Sequence, residues 1–449
     1  MNIAPVARLA MCAALAAIAA WSVPAQGQLR EGIALFVIIG GLWMTQALPL
    51  AVTALTVPLL AVLAGIMPVR QALAPFAHPV IFLFLGGFAL GAALSRLGLD
   101  QALAQAVLRV AHGRRLAAVL LLGALCALLS MWMSNTATAA MMVPLALGLL
   151  RGEQGSVHTA GPREQAFVLL VLAYSASIGG IATLVGSPPN AIVAAQLDIG
   201  FAQWMRMALP LVLLLWPAMV GVLFLVLRPS LGGRFQGDPT PLQWTRERRI
   251  TVAIFVLTAA GWVGGPPLAA WWGIGADIDT LVALAAIVAL SLTGVLTWKD
   301  VEQNVQWGVL LLFGGGLALS EVMASTGAST YLAAALLAAV DQAPAWLVLL
   351  GVVAFVVLLT EIVSNTASAA LLLPVFLPVA LAMGFPPVSI GAAIAVAASC
   401  AFMLPVATPP NAIVFSTGLV SQGTMMRCGL WLNAVSIVTI TGVALWGWS

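Results

Sequence analysis

A chain of 449 residues that is 62% hydrophobic and only 7% charged cannot cover itself with polar surface, so its solvent must be lipid. The net charge of +3 is too small to argue for a nucleic-acid partner. Cys12, Cys126, Cys400 and Cys428 form no CxxC pair, and His78, His112 and His158 form no cluster, which argues against a haem or zinc centre. Runs of about 20 apolar residues between charged ones describe an all-α polytopic membrane protein, without the short alternating segments of a β-barrel.

The first segment, 7–24, has a basic start, an apolar LAMCAALAAIAAW and a VPAQG end. It fits a secretory signal as well as a helix. A retained N-terminal helix within 1–30 is the favoured reading, because polytopic proteins seldom need a cleaved signal. Spans follow at 31–48, 50–67 and 79–97. An amphipathic stretch at 100–112 comes next, with Leu99, Leu103, Val107 and Val110 on one face.

Between Arg115 and Arg151 lie 35 residues without a charge. One helix of that length would measure about 52 Å, against a hydrocarbon core of ~30 Å. Two spans and a turn would need more than about 40 residues. The segment 116–150 therefore reads as a re-entrant hairpin that enters and leaves on one side. Its turn falls at Ser134-Asn135-Thr136, because non-helical backbone at that depth persists only in protein or beside a wet cavity. Spans at 166–197 and 207–227 close the first half, and 229–249 is a polar, basic cytoplasmic linker. The second half has spans at 250–266, 277–295 and 307–325, a second hairpin at 342–384, and spans at 387–417 and 427–447.

The halves match. MSNTATAAMMVP at 133–144 returns as VSNTASAALLLP at 363–374, so Ser134 and Pro144 map 230 residues on. GSPPNAI at 186–192 returns as ATPPNAI at 407–413, an offset of 221, while Gly65 maps to Gly294 at an offset of 229. Spacing of this kind marks an internal duplication. Each copy, 31–228 and 250–449, holds five spans and one hairpin. An odd span number inserts the second copy upside down: an inverted repeat, with eleven transmembrane helices and two hairpins in all. With the N-terminus cytoplasmic, 14 Lys and Arg residues fall inside and three, Arg30, Arg70 and Arg206, outside. That bias agrees with the positive-inside rule, and it brings the two hairpin tips together from opposite faces.

Ser, Asn and Thr supply oxygens and amide donors without fixed charge. Breaks between short helices leave N–H groups that favour anions and carbonyls that suit Na+. Tandem prolines at 188–189 and 409–410 should unwind the helices at 166–197 and 387–417. No Lys or Arg lies near the tips, so a dianion there needs co-bound cations to offset its charge. The sequence thus points to Na+-coupled anion transport. Glu361, the acid nearest a tip, reads as a carboxylate hydrogen-bonded within its own hairpin rather than as a proton carrier. An anion channel is an alternative class, whereas an enzyme would want clustered acids or a nucleophile–base pair, and no catalytic residue is found.

The paired SNT motifs, Thr360-Glu361 ahead of the second, and the paired Pro-Pro-Asn loops resemble the divalent anion:sodium symporter family, which includes the INDY dicarboxylate transporters. The resemblance covers about 31 to 447. It implies a homodimer in the cell's inner membrane and an elevator-type transport domain carrying a small anion, most plainly a C4-dicarboxylate such as succinate, malate or fumarate, with two or more Na+. Sulfate, citrate or another oxyanion, or Na+-independent exchange, are alternatives within the family. By the same resemblance one Na+ site would use Ser130, Ser134, Asn135 and the backbone at Gly186. Its counterpart would use Thr360, Ser364, Asn365 and the backbone at Ala407. The carboxylates would meet Asn135, Thr136, Ser187, Asn365, Thr366 and Thr408. Ser187 stands where the second loop has Thr408, and Gly186 where it has Ala407, which bears on substrate choice.

Overall fold

Twenty-one α-helices and no strand make up the described residues, which in this computed structural model are 5–24, 27–150, 161–231, 243–273, 277–340 and 343–448. In chain order the first eleven are α1 (Pro5–Ser22), α2 (Leu29–Thr45), α3 (Leu50–Leu63), α4 (Val69–Leu73), α5 (Pro79–Arg96), α6 (Leu99–Val110), α7 (Arg115–Ser130), α8 (Asn135–Leu149), α9 (Pro162–Gly180), α10 (Pro188–Leu197) and α11 (Phe201–Leu227). The remaining ten are α12 (Arg246–Trp272), α13 (Ile278–Leu292), α14 (Trp298–Asn304), α15 (Trp307–Ser325), α16 (Ala328–Ala339), α17 (Ala345–Thr360), α18 (Asn365–Ala382), α19 (Pro387–Ser399), α20 (Pro409–Ser416) and α21 (Gln422–Trp446).

The breaks have local causes. Between α7 and α8 the chain leaves helical geometry, and the Ser134 hydroxyl accepts from the Ala137 N–H at 3.3 Å, an N-cap that starts α8. Pro188 and Pro189 open α10, as Pro409 and Pro410 open α20. A first-turn proline lacks an N–H that would be unpaired anyway. The tandem prolines therefore begin a second helix, and the unwound residues lie ahead of them, at 181–187 and 400–408.

Helices pair in corresponding ways. α5 packs on α13 as α15 packs on α3; α9 meets α20 as α19 meets α10; α11 lies against α21. Two glycines make the first contacts possible. A Cβ on Gly86 would sit 2.6 Å from the Ala283 Cβ, and one on Gly315 would sit 2.6 Å from the Ala54 Cβ. α1 lies along α2, with Arg8 donating to the Thr45 carbonyl at 3.1 Å.

Among the described residues, five helical stretches are long and apolar enough to cross a membrane: Val69–Arg96, Phe201–Leu227, Trp307–Ser325, Asn365–Ala382 and Gln422–Trp446. One of them, α18, was expected as a hairpin arm; its 18 residues span about 27 Å. Several boundaries differ from the expected ones. α12 begins at Arg246, inside the expected linker 229–249, because Thr245 caps it by accepting from the Arg248 N–H. Arg151, Arg234 and most of that linker lie outside the described residues. α16 was not anticipated. Its ASTYLAAALLAA has no charge and no polar stripe to separate it from its neighbours.

Candidate functional site

A cavity of about 310 Å³ lies where the four breaks meet. Ser134, Asn135 and Thr136 line it from the first SNT motif, and Ser364, Asn365 and Thr366 from the second. Gly186, Ser187 and Pro188 come from the first proline loop, and Ala407, Thr408, Pro409 and Pro410 from the second. Segments far apart in sequence thus form one wall. The other wall is Gln46, Phe84, Phe88, Gln306 and Val309. Among the described residues, none that lines it is charged.

Four helices, α8, α10, α18 and α20, begin at this cavity. Each N-terminus presents the positive end of a helix dipole, and α8 and α18 add N–H groups, whereas the tandem prolines leave the first two positions of α10 and α20 without any. Four such ends converging without a counter-charge make an anion-attracting site from backbone alone.

Ser130 and Thr360, expected as ion ligands, do not line the cavity; both are fully buried behind it. The Ser130 hydroxyl donates to the Ala176 carbonyl at 2.6 Å and lies 2.5 Å from the Asn135 amide. That amide fits with its nitrogen donating to Ser130 Oγ at 2.5 Å, Ala176 O at 3.1 Å and Gly186 O at 3.2 Å. The Thr360 hydroxyl lies 2.8 Å from both the Asn365 Oδ1 and the Ala398 carbonyl. Each corner therefore concentrates oxygen acceptors around one asparagine, the donor set of a hard monovalent cation. Crowding keeps the first corner tight: a Cβ on Gly186 would sit 2.5 Å from the Gly180 carbonyl.

Two asparagines with no assigned role at the sequence level hold the breaks open. Buried Asn190 donates to the carbonyls of Gly180, Ile181 and Thr183 at 3.0, 3.2 and 2.8 Å. Asn411 donates to those of Ala401 and Leu404, both at 3.1 Å. They were visible as the third residue of each Pro-Pro-Asn; what was missing was the knowledge that their amides turn back onto the unwound backbone.

Glu361 is a correction to the expected contact within its own hairpin. Its carboxylate, only 4% exposed, accepts from the N–H groups of Phe402, Met403 and Leu404 and from the Asn433 amide of α21. The first break needs no such acid, since Ile181 and Ala182 donate to carbonyls one turn back and Thr183 accepts from Gly186 N–H. Met131 occupies the matching place. Ser187 meets Ser399 at 3.0 Å, and Tyr174 donates to the Phe402 carbonyl at 2.7 Å, tying each break to the other half.

A second hollow shares Phe88, Ser134, Val185 and Gln306 with the cavity and runs on to Ser95 and Asn304. The site therefore extends toward the C-terminal end of α5.

Residues 41–374 match the CitMHS citrate transporter family. The chain is 44% identical over 433 residues to an uncharacterized transporter of Haemophilus influenzae, covering 95% of this chain and 93% of that one. It is 33% identical over 433 residues to the sodium-dependent dicarboxylate transporter SdcS of Staphylococcus saprophyticus, covering 89% of this chain and 82% of that one. Among solved structures it resembles the Alcanivorax borkumensis YdaH transporter, with a TM-score of 0.57 at 16% identity over 84% of this chain and 87% of that one. It likewise resembles Neisseria gonorrhoeae MtrF, with a TM-score of 0.59 at 15% identity over 99% and 95%. At such identities these two likenesses concern the fold alone.

Proposed function

The chain belongs to the citrate transporter family, within the wider group of divalent anion:sodium symporters, and from that premise we propose that it symports a C4-dicarboxylate with two or more Na+. It is a multi-pass membrane transporter and not an enzyme. One observation carries the substrate class: four helix N-termini and both SNT motifs line a single cavity that has no charged side chain.

Magnitudes then call for cations. A helix N-terminus stabilises an anion by about 0.3–1 kcal/mol, or ~2 kcal/mol when partly buried. Four of them give several kcal/mol, whereas dehydrating each carboxylate costs several kcal/mol on its own. Na+ in the two oxygen-rich corners offsets the remainder. Turned about its Cβ–Cγ axis, the Asn135 amide offers Oδ1 to such an ion while Thr136 and the α8 N–H groups face the carboxylate. Asn365 does the same across the cavity. Kinship with a sodium-dependent dicarboxylate transporter supports the coupling.

In this reading α7–α8 and α17–α18 are the re-entrant hairpins of an inverted repeat, 31–228 and 250–449. With the broken helices they form the body that moves as an elevator in a homodimer. The charge bias supports a cytoplasmic side for Arg96 and Lys299, and so for the neighbouring hollow at Ser95 and Asn304.

Uptake of labelled succinate into proteoliposomes tests this. Accumulation against a gradient is expected with external Na+ and none with choline. Accumulation unaffected by choline replaces symport with exchange; flux that never runs uphill replaces the transporter with a channel. Competition by sulfate stronger than that by succinate reassigns the substrate.

A further inference from the structure

We infer that Gln46 and Gln306 are specificity-determining residues that favour anions bearing a third polar group, a hydroxyl or a further carboxylate, beside the two carboxylates. The inference rests on the proposed dicarboxylate reading of the cavity. These two are the polar lining residues that belong to neither an SNT motif nor a proline loop. Gln46 caps the end of α2, and Gln306 immediately precedes α15.

Both side chains are exposed into the cavity, and neither has a hydrogen-bond partner among the described residues. Gln46 also holds a left-handed backbone, φ 49°, where glycine would sit without penalty. Left-handed residues commonly end helices, as Asp198 and Arg228 end α10 and α11, so this conformation alone assigns no role to the side chain.

The rest of that wall is Phe84, Phe88 and Val309. An unsubstituted methylene chain held by the four helix N-termini runs along these apolar groups without loss. A hydroxyl or third carboxylate aimed at the same wall is left unpaired except at the two glutamines. Their neutral amides donate to either group and accept from a hydroxyl. Losing one such bond to a substrate group lowers affinity about tenfold.

The test uses proteoliposomes loaded with labelled succinate on the donor side and unlabelled succinate, malate or citrate as competitors. Wild type is compared with Gln46→Leu, Gln306→Leu and Gln46→Gly, the last removing the side chain while relaxing the backbone. In each variant competition by malate and citrate is expected to weaken about tenfold relative to that by succinate. Unchanged competition ratios, an equal loss for every anion, or a wild type that malate and citrate fail to inhibit would overturn the inference and leave the transport reading standing. A wild type that takes up no carboxylate would instead remove the transport reading, and this inference with it.

Discussion

Replacing Asn135 or Asn365 with alanine is expected to cut Na+-dependent succinate uptake at least about a hundredfold while the purified protein stays folded. Each amide stands at three functions at once. It begins a helix whose N–H groups face the cavity, it lines the cavity, and it lies in an acceptor-rich corner with Ser130 or Thr360. On the proposed reading alanine would remove a cation ligand and a substrate contact together, and hydrogen bonds to charged groups are worth about 1.5–3 kcal/mol each. The fold survives because neither side chain fills the apolar core; both are half-buried. The measurement is initial uptake at saturating Na+ beside a thermal midpoint in detergent. Uptake at the wild-type rate from either variant would place the transport site elsewhere.

Glu361→Ala is expected to act the other way, on the fold before the function. The carboxylate accepts from three consecutive backbone N–H groups in the unwound stretch after α19 and from Asn433. Leaving these buried donors unpaired costs about 1–3 kcal/mol each, together a large part of a domain's ~5–15 kcal/mol. Little folded, monodisperse protein is expected on size exclusion. Glu361→Gln keeps one acceptor oxygen but turns an N–H₂ toward other donors, so an intermediate midpoint is expected. An alanine variant with the wild-type midpoint would mean that the 402–404 backbone finds other partners.

The site was more legible in the sequence than the frame around it. Ser-Asn-Thr twice, in otherwise apolar surroundings, and Pro-Pro-Asn twice at a similar offset are local patterns; both Ser-Asn-Thr motifs and Pro188, Pro409 and Pro410 line one cavity, while Asn190 and Asn411 turn away from it. Ser130 and Thr360 stood in the motif neighbourhood, but their place behind the cavity depends on the packing of α7 on α9 and α17 on α19, which no linear pattern encodes. The partners of Glu361 lie 41 to 72 residues away, which is why a contact within its own hairpin was the natural expectation. Gln46 and Gln306 sit at helix ends with nothing in their neighbours to set them apart; only the shape of the cavity selects them. α16 was invisible for a simpler reason, since an uncharged alanine-leucine run carries no boundary signal.

The central claim is that residues 134 and 364 belong to one water-accessible site that closes around an anion and Na+. Ser134→Cys and Ser364→Cys, labelled with a small hydrophilic maleimide, test it directly, since Cys12, Cys126, Cys400 and Cys428 are all buried. Both engineered thiols are expected to react from the cytoplasmic side, and succinate with Na+ together is expected to slow both. Thiols that react from opposite faces of the membrane, with rates indifferent to succinate and Na+, would contradict the account.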